Sequence, residues 1–305
     1  MSSIKSSKWK IALLIAVTAM IVLGVIGTTT YLKENPVKWQ SYREREKDKI
    51  ASETLEYMKK NYNEEFEIDS IKYIPQNKSY AIMVHSKSDP DLNVRVLKWA
   101  MGGYELTDDY ISTKRFRQTT KYFRHFANDI SDRNLFQANI IGGKVYDTKL
   151  YWDTKYTIKE LLEKDAKNTE LNFLMFFFFD ITEENVDEVC KKLYNMVKYM
   201  QEADIGEVEM EVLFFSEEYF KNKDVEKINR EEMGPLGMMN FDSIYGGEYA
   251  LTRISIFNKM HRYKDIKTYR DIKSYKDIKR IMRYKKFKGT VNLATGRRDF
   301  EWIGK

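Results

Sequence analysis

Residues Ile11 to Gly27, IALLIAVTAMIVLGVIG, form an unbroken run of seventeen uncharged, mostly apolar residues. No other feature restricts the chain as strongly. A segment that enters a bilayer must satisfy its backbone polar groups internally, which leaves a single segment only the α-helix. A spanning helix needs roughly 17 to 25 residues, and taking in Thr28 to Leu32 lengthens this run to twenty-two. A cleaved signal peptide is the rival reading, with an apolar region of about 7 to 15 residues and a small-residue cleavage site. Here the run is longer, Val25-Ile26-Gly27 fits such a site poorly, and no cysteine lies near it to carry a lipid. The expectation is therefore a retained signal-anchor.

Its direction rests on less. Lys5, Lys8 and Lys10 precede the run, with no acidic residue among the first ten, but Lys33, Lys38, Arg43, Arg45 and Lys47 follow it. The positive-inside comparison is nearly balanced. The short basic tail favours residues 1–10 in the cytoplasm, a transmembrane anchor over 11–32 and an extracytoplasmic remainder.

After a charged juxtamembrane stem over 33–49, Ala51, Leu55, Met58 and Tyr62 recur at the spacing of one helix face, and Asn61 and Asn63 mark its end. Phe66 to Ile74, Tyr80 to His85 and Leu92 to Trp99 read as strands, broken by Pro75-Gln76-Asn77 and by Ser88-Asp89-Pro90-Asp91. This gives a first α+β unit over 50–150, which also takes in a helix over Thr107–Asp129. Gly-Gly pairs at 102–103, 142–143 and 246–247 suit tight turns, because both positions tolerate positive φ. They predict hairpins over 136–152 and 238–257, with the first pair closing the first sheet.

A second unit follows over 151–257. Thr157 to Ala166 reads as a short helix, and Leu171 to Ile181, LNFLMFFFFDI, as a central strand buried on both faces. Val186, Val189, Leu193, Met196, Val197 and Met200 fall at helical spacing, with Asp180 or Thr182 as N-cap, and Val208 to Phe214 alternate as a strand. Strand, helix, strand at this spacing predicts a right-handed βαβ crossover. The fold class is thus α+β: an N-terminal transmembrane helix followed by two helix-and-sheet units, the second containing a βαβ crossover in a mixed sheet.

The last part, 258–305, holds YKDIK, YRDIK and YKDIK at Tyr263, Tyr269 and Tyr275, a period of six, before a terminal hairpin around Thr295-Gly296. On a helix a six-residue period moves each copy about 60° around the axis, so no clean amphipathic face results and a partly exposed helix is expected. From Lys259 to Lys288 there are thirteen Lys or Arg against three Asp, while the whole chain carries only +6. Lys264, Lys267, Arg270, Lys273, Lys276, Lys279, Arg280 and Arg283 are the candidate polyanion contacts, interleaved with tyrosines. Outside a cell the matching partners are anionic lipid or wall polymer, each basic residue near a membrane adding about 1 kcal/mol. Nucleic acid enters only if the domain is cytoplasmic.

Catalytic signals are weak. Asp89, Asp91 and Asn93 open like a calcium loop, but Val94 replaces the needed glycine and Ala100 the bidentate glutamate, so a capped hairpin turn is expected. His85, His125 and His261 are far apart; only His125 and Asp129 share helical spacing. The single cysteine, Cys190, rules out an intrachain disulfide and a cysteine zinc cluster, and its apolar neighbours mark it as a core residue. No G-x-S-x-G, Walker A or dinucleotide glycine pattern occurs. No cofactor is expected.

The stretch Glu53 to Val96, ETLEYMKKNYNEEFEIDSIKYIPQNKSYAIMVHSKSDPDLNVRV, resembles helix-plus-hairpin units of uncharacterised secreted or anchored proteins in Firmicutes. That resemblance rests on pattern and carries no site residue. Taken together, the chain reads as a single-pass, membrane-anchored, extracytoplasmic, non-enzymatic binding or envelope-associated protein. The alternatives are a structural subunit of a membrane complex, such as a conjugation or secretion assembly with its own protein partners, and an unrecognised hydrolase.

Overall fold

The computed structural model describes residues 36–99, 106–142, 147–227, 249–257, 260, 263, 265–291 and 298–304. The Ile11–Gly27 run, the Gly-Gly pairs at 102–103 and 246–247, Gly143, His261, Lys264 and the turn at Thr295-Gly296 lie outside these residues. No helix among the described residues is long and apolar enough to cross a membrane. The fold is α+β, with two sheets and several helices divided between two compact units, Met1–Asp109 and Tyr110–Lys305.

In the first unit, helix α1 (Pro36–Tyr62) absorbs most of the stretch expected to be a stem. Proline suits a first helical position because its missing N–H would be unpaired there anyway. The buried seam is Ile50, Thr54 and Met58, one position round from the expected face, with Ala51, Leu55 and Tyr62 half-buried. Asn63 ends the helix at φ 52°, a left-handed conformation that asparagine tolerates. Strands β1 (Phe66–Ile74), β2 (Ser79–Ser86), β3 (Asp89–Trp99) and β4 (Thr107–Asp108) form an antiparallel sheet in sequence order. Ile82, Val84, Val94 and Val96 are fully buried, as the period of two requires. Tyr57 and Tyr62 both donate to the Asp108 carboxylate at 2.7 Å, tying α1 to β4.

The second unit begins earlier than expected, at Tyr110, and takes in the basic segment as well. Helix α2 (Tyr110–Ile130) and strand β5 (Asn134–Gly142), assigned by sequence to the first unit, belong here because β5 pairs antiparallel with β6 (Glu170–Phe177). The hairpin expected over 136–152 is not formed, since Lys149–Trp152 is a single helical turn. Buried Arg115 of α2 holds that turn, donating to the carbonyls of Leu150, Tyr151, Asp153 and Tyr156 at 2.6–2.9 Å. Helix α3 (Ile158–Asp165) is closed by a Thr157–Glu160 capping box.

Strand β6, helix α4 (Val186–Glu202) and strand β7 (Glu207–Phe215) make the predicted βαβ crossover, with β6 parallel to β7. The N-cap is Asn185, not Asp180 or Thr182; Asn185 instead ties the preceding turn through Thr182 and Asp180. Strands β8 (Ala250–Ile256), β9 (Arg283–Val291) and β10 (Arg298–Gly304) extend the sheet antiparallel to give the order β10-β9-β8-β7-β6-β5. It is a mixed sheet, and β6 lies one strand in from its edge. Leu171, Phe173, Met175 and Phe177 point into the large core beneath the helices, while Phe176 and Phe178 enter a smaller core on the other face with Leu135, Leu213, Phe215 and Phe220. Each phenylalanine so buried contributes about 1.5–3 kcal/mol. The edge strand is covered as well: the Thr120 hydroxyl of α2 donates to the Ala138 carbonyl at 3.0 Å and accepts from its N–H at 3.1 Å.

Gly206 sits where α4 turns into β7, its N–H donating to the Ala166 carbonyl at 2.9 Å. A Cβ there would fall inside contact distance of the Lys167 carbonyl oxygen and 3.1 Å from that of Thr169. Both are backbone atoms that cannot swing away. Gly206→Ala is expected to destabilise the protein by about 1–3 kcal/mol; an unchanged denaturant midpoint would refute the close approach.

Candidate functional site

The basic segment does not form the expected partly exposed helix. It is a series of capped turns: a 3-10 turn at Tyr269–Asp271 and a short helix α5 at Tyr275–Ile281. The period of six has a local cause. Asp271 Oδ2 accepts from the backbone N–H groups of Lys267 and Thr268, each at 2.9 Å. Six residues on, Asp277 Oδ2 accepts from those of Lys273 and Ser274 at 3.0 and 2.9 Å. Each Thr or Ser completes a capping box with its Asp. The isoleucine after each aspartate, Ile266, Ile272 and Ile278, is buried in the large core. In all three repeats the Ile turns in; in the second and third the Asp caps a turn, while Asp265 of the first pairs with Arg280.

Helix α4 holds this array. Asp187, Tyr194 and Gln201 are seven residues apart and so share one half-buried stripe, flanking the buried face of Val189, Leu193 and Met200. Gln201 Nε2 donates to the carbonyls of Tyr269 and Ile272 at 2.8 Å, the Tyr194 hydroxyl to that of Lys273 at 2.6 Å, and Lys279 Nζ to Asp187 at 2.6 Å. The repeat therefore runs antiparallel to α4. Apolar spacing drew attention to the inner face of this helix; the polar stripe at spacing seven was the signal for the outer one.

The eight candidate cations have different fates. Arg270 pairs with Asp204 at 2.9 Å and donates to the Ile205 carbonyl, Lys279 pairs with Asp187, and Arg280 grips Asp265 through two bonds of 2.7 and 2.8 Å. Lys267 and Lys273 are exposed and donate to carbonyls of the preceding turn, those of Tyr263 and Arg270. Lys276 is exposed. Arg283 starts β9 opposite Arg253 of β8, and Lys264 lies outside the described residues.

The acids along the seam each serve more than one cation. The hydrogen bond from Lys279 holds the Asp187 carboxyl below the usual carboxylate range, and the charges of Lys191 and Lys276 add to it. At the other end of α4, hydrogen bonds from Arg270 and then Lys167 lower Asp204 in the same way. Lys191 also lies over the Tyr275 ring, 5.3 Å from its centre.

The other candidates separate. Asp89, Asp91 and Asn93 lie within β3 itself, and the turn is the tighter Lys87-Ser88. His85 Nδ1 is 2.7 Å from Asp69 and its Nε2 is 3.6 Å from Glu67, in the first unit. His125, in the second, turns Nδ1 to the Tyr122 carbonyl at 3.0 Å and packs on Phe126. Among the described residues no three His, Cys, Asp or Glu side chains form a metal-binding group. Cys190 is fully buried, and burial pushes its thiol up to about 12.

Two outcomes follow. The native Cys190 thiol will resist iodoacetamide at neutral pH and react once the chain is unfolded, because the thiolate is the nucleophile; rapid labelling of the folded protein would contradict this burial. The Arg280 hydrogen bonds lower Asp265 from 3.8 to about 2. A carboxyl depressed on folding stabilises above its unfolded value, and that contribution fades as pH falls through the folded one. The contribution of this pair is therefore present above about pH 4 and lost towards pH 2, and an NMR titration of Asp265 with an ordinary midpoint would refute it.

No family model matches the chain, and no curated protein does. A solved structure, that of a DUF5037 family protein from Ruminococcus gnavus ATCC 29149, is similar to it at 16% identity and a TM-score of 0.46, over 75% of this chain and 97% of that one. So distant a likeness transfers neither a residue nor a role.

Proposed function

We propose that this is a single-pass membrane-anchored protein whose α+β region lies outside the membrane and binds anionic envelope material, without enzymatic activity. The observation that carries the location is the seventeen-residue uncharged run Ile11–Gly27 behind a short basic tail. The binding role is supported by the 259–288 segment, where Lys267, Lys273 and Lys276 are exposed and the aspartates of the two capped turns accept from backbone N–H groups. The three aspartates offset only part of the thirteen Lys and Arg in this segment, whichever groups they bond. Long-range attraction for anions then survives at physiological salt over roughly a Debye length, about 8 Å.

Topology is the direct test. Protease added to intact cells is expected to cut the region beyond residue 32, while a cytoplasmic control protein stays whole. Complete protection of that region would place it inside the cell and overturn the location. Salt-independent self-association of the full chain would favour the structural-subunit alternative.

A further inference from the structure

We infer that the seam between helix α4 and the YKDIK turns is a track for a linear phosphate-bearing polymer. This rests on the proposed binding of anionic material and names its class. Two nodes mark the ends of the track. At one, Asp187 pairs with Lys279 at 2.6 Å, with exposed Lys276 one turn earlier on α5 and Lys191 of α4 over the Tyr275 ring. At the other, Asp204 is shared by Arg270 at 2.9 Å and Lys167 at 3.2 Å. At Asp204 two cations contact one acid, and Lys273 stands between the two ends in the chain with its side chain exposed. The pairs at the nodes are a third to three-quarters exposed, so an incoming anion reaches them without unfolding.

Geometry selects a line over a plane. The nodes are separated by the length of α4, on the order of 25 Å at 1.5 Å per residue. Between them the backbone of the repeat is anchored to one stripe of the helix by Tyr194 and Gln201, so Arg270, Lys273 and Lys279 follow one another along it. A polymer that engages one node is held near the second at high effective concentration, which a short anion cannot exploit. Phosphate fits the donors, since lysine ammonium groups bind it as point charges without requiring a bidentate carboxylate geometry. Each acid already present keeps the unliganded cations from repelling one another and leaves them a net positive charge.

The test uses the full chain in nanodiscs of zwitterionic phosphatidylcholine, titrated with long-chain inorganic polyphosphate, with tripolyphosphate and with phosphatidylglycerol vesicles. Long polyphosphate is expected to bind much more tightly than tripolyphosphate, and Lys167→Ser/Lys273→Ser/Lys276→Ser to weaken it by about tenfold or more through loss of the two-node grip. A control of equal charge, Lys72→Ser/Lys121→Ser/Lys221→Ser, is expected to leave binding unchanged, and all replaced lysines are exposed, so thermal unfolding should not move. Equal affinity for short and long phosphates, or equal loss in the control, overturns the track. Binding to the anionic vesicles without binding to polyphosphate overturns it too while leaving the proposed function standing. Binding to neither overturns both.

Discussion

The parallel pairing of β6 with β7 is the constraint on which the larger unit depends. Parallel neighbours cannot be joined by a tight turn, so the chain must leave the sheet and return through a crossover. Helix α4 is that crossover. Its apolar stripe, from Val186 to Met200, closes the main core over Leu171, Phe173, Met175 and Phe177. The stripe that borders it carries Asp187, Tyr194 and Gln201, and those three groups are what the basic segment binds.

Seen from the repeat, the same dependence explains its period. Two isolated capped turns of this length would not persist, because helix nucleation is costly and a short helix is marginal alone. Here each turn gains a buried isoleucine and bonds to α4 that an isolated peptide lacks. Six residues is the spacing at which an Asp can cap a turn while the following Ile reaches the core and the next Ser or Thr opens another turn. The charges are then sorted by geometry: Asp271 and Asp277 to the backbone, Lys279 to α4, and Lys267, Lys273 and Lys276 to the exposed side.

Elements governed by local pattern were legible. The helix ending at Asn63, the first three strands of the antiparallel sheet, the apolar face of α4 and the alternation of Val208 to Phe214 all follow from spacing and termination signals that act within a few residues. The misreadings share a different origin. Gly142-Gly143 looked like a hairpin because glycine permits one, but Arg115, twenty-seven residues earlier, gathers the following segment into a helical turn by its carbonyls. The unit boundary was set too late because nothing in β5 itself announces that its partner is β6. The repeat was read as a helix because periodicity was tested against helix and strand, and a capped-turn series obeys neither period.

By itself, the sequence determined the apolar run at the amino end, the α+β class, the crossover and the concentration of positive charge near the carboxyl end. Each of these is a property of composition or of spacing along the chain, and water, lipid or a helix axis reads them one residue at a time. Only the tertiary structure decided where that charge goes. Whether a lysine is tethered to a carboxylate or left outward depends on which acids from α4 and its ends lie against it, residues some seventy to ninety positions away. Coulomb and hydrogen-bond energies fall off with distance in space, and separation along the chain says nothing of that distance until the fold has formed.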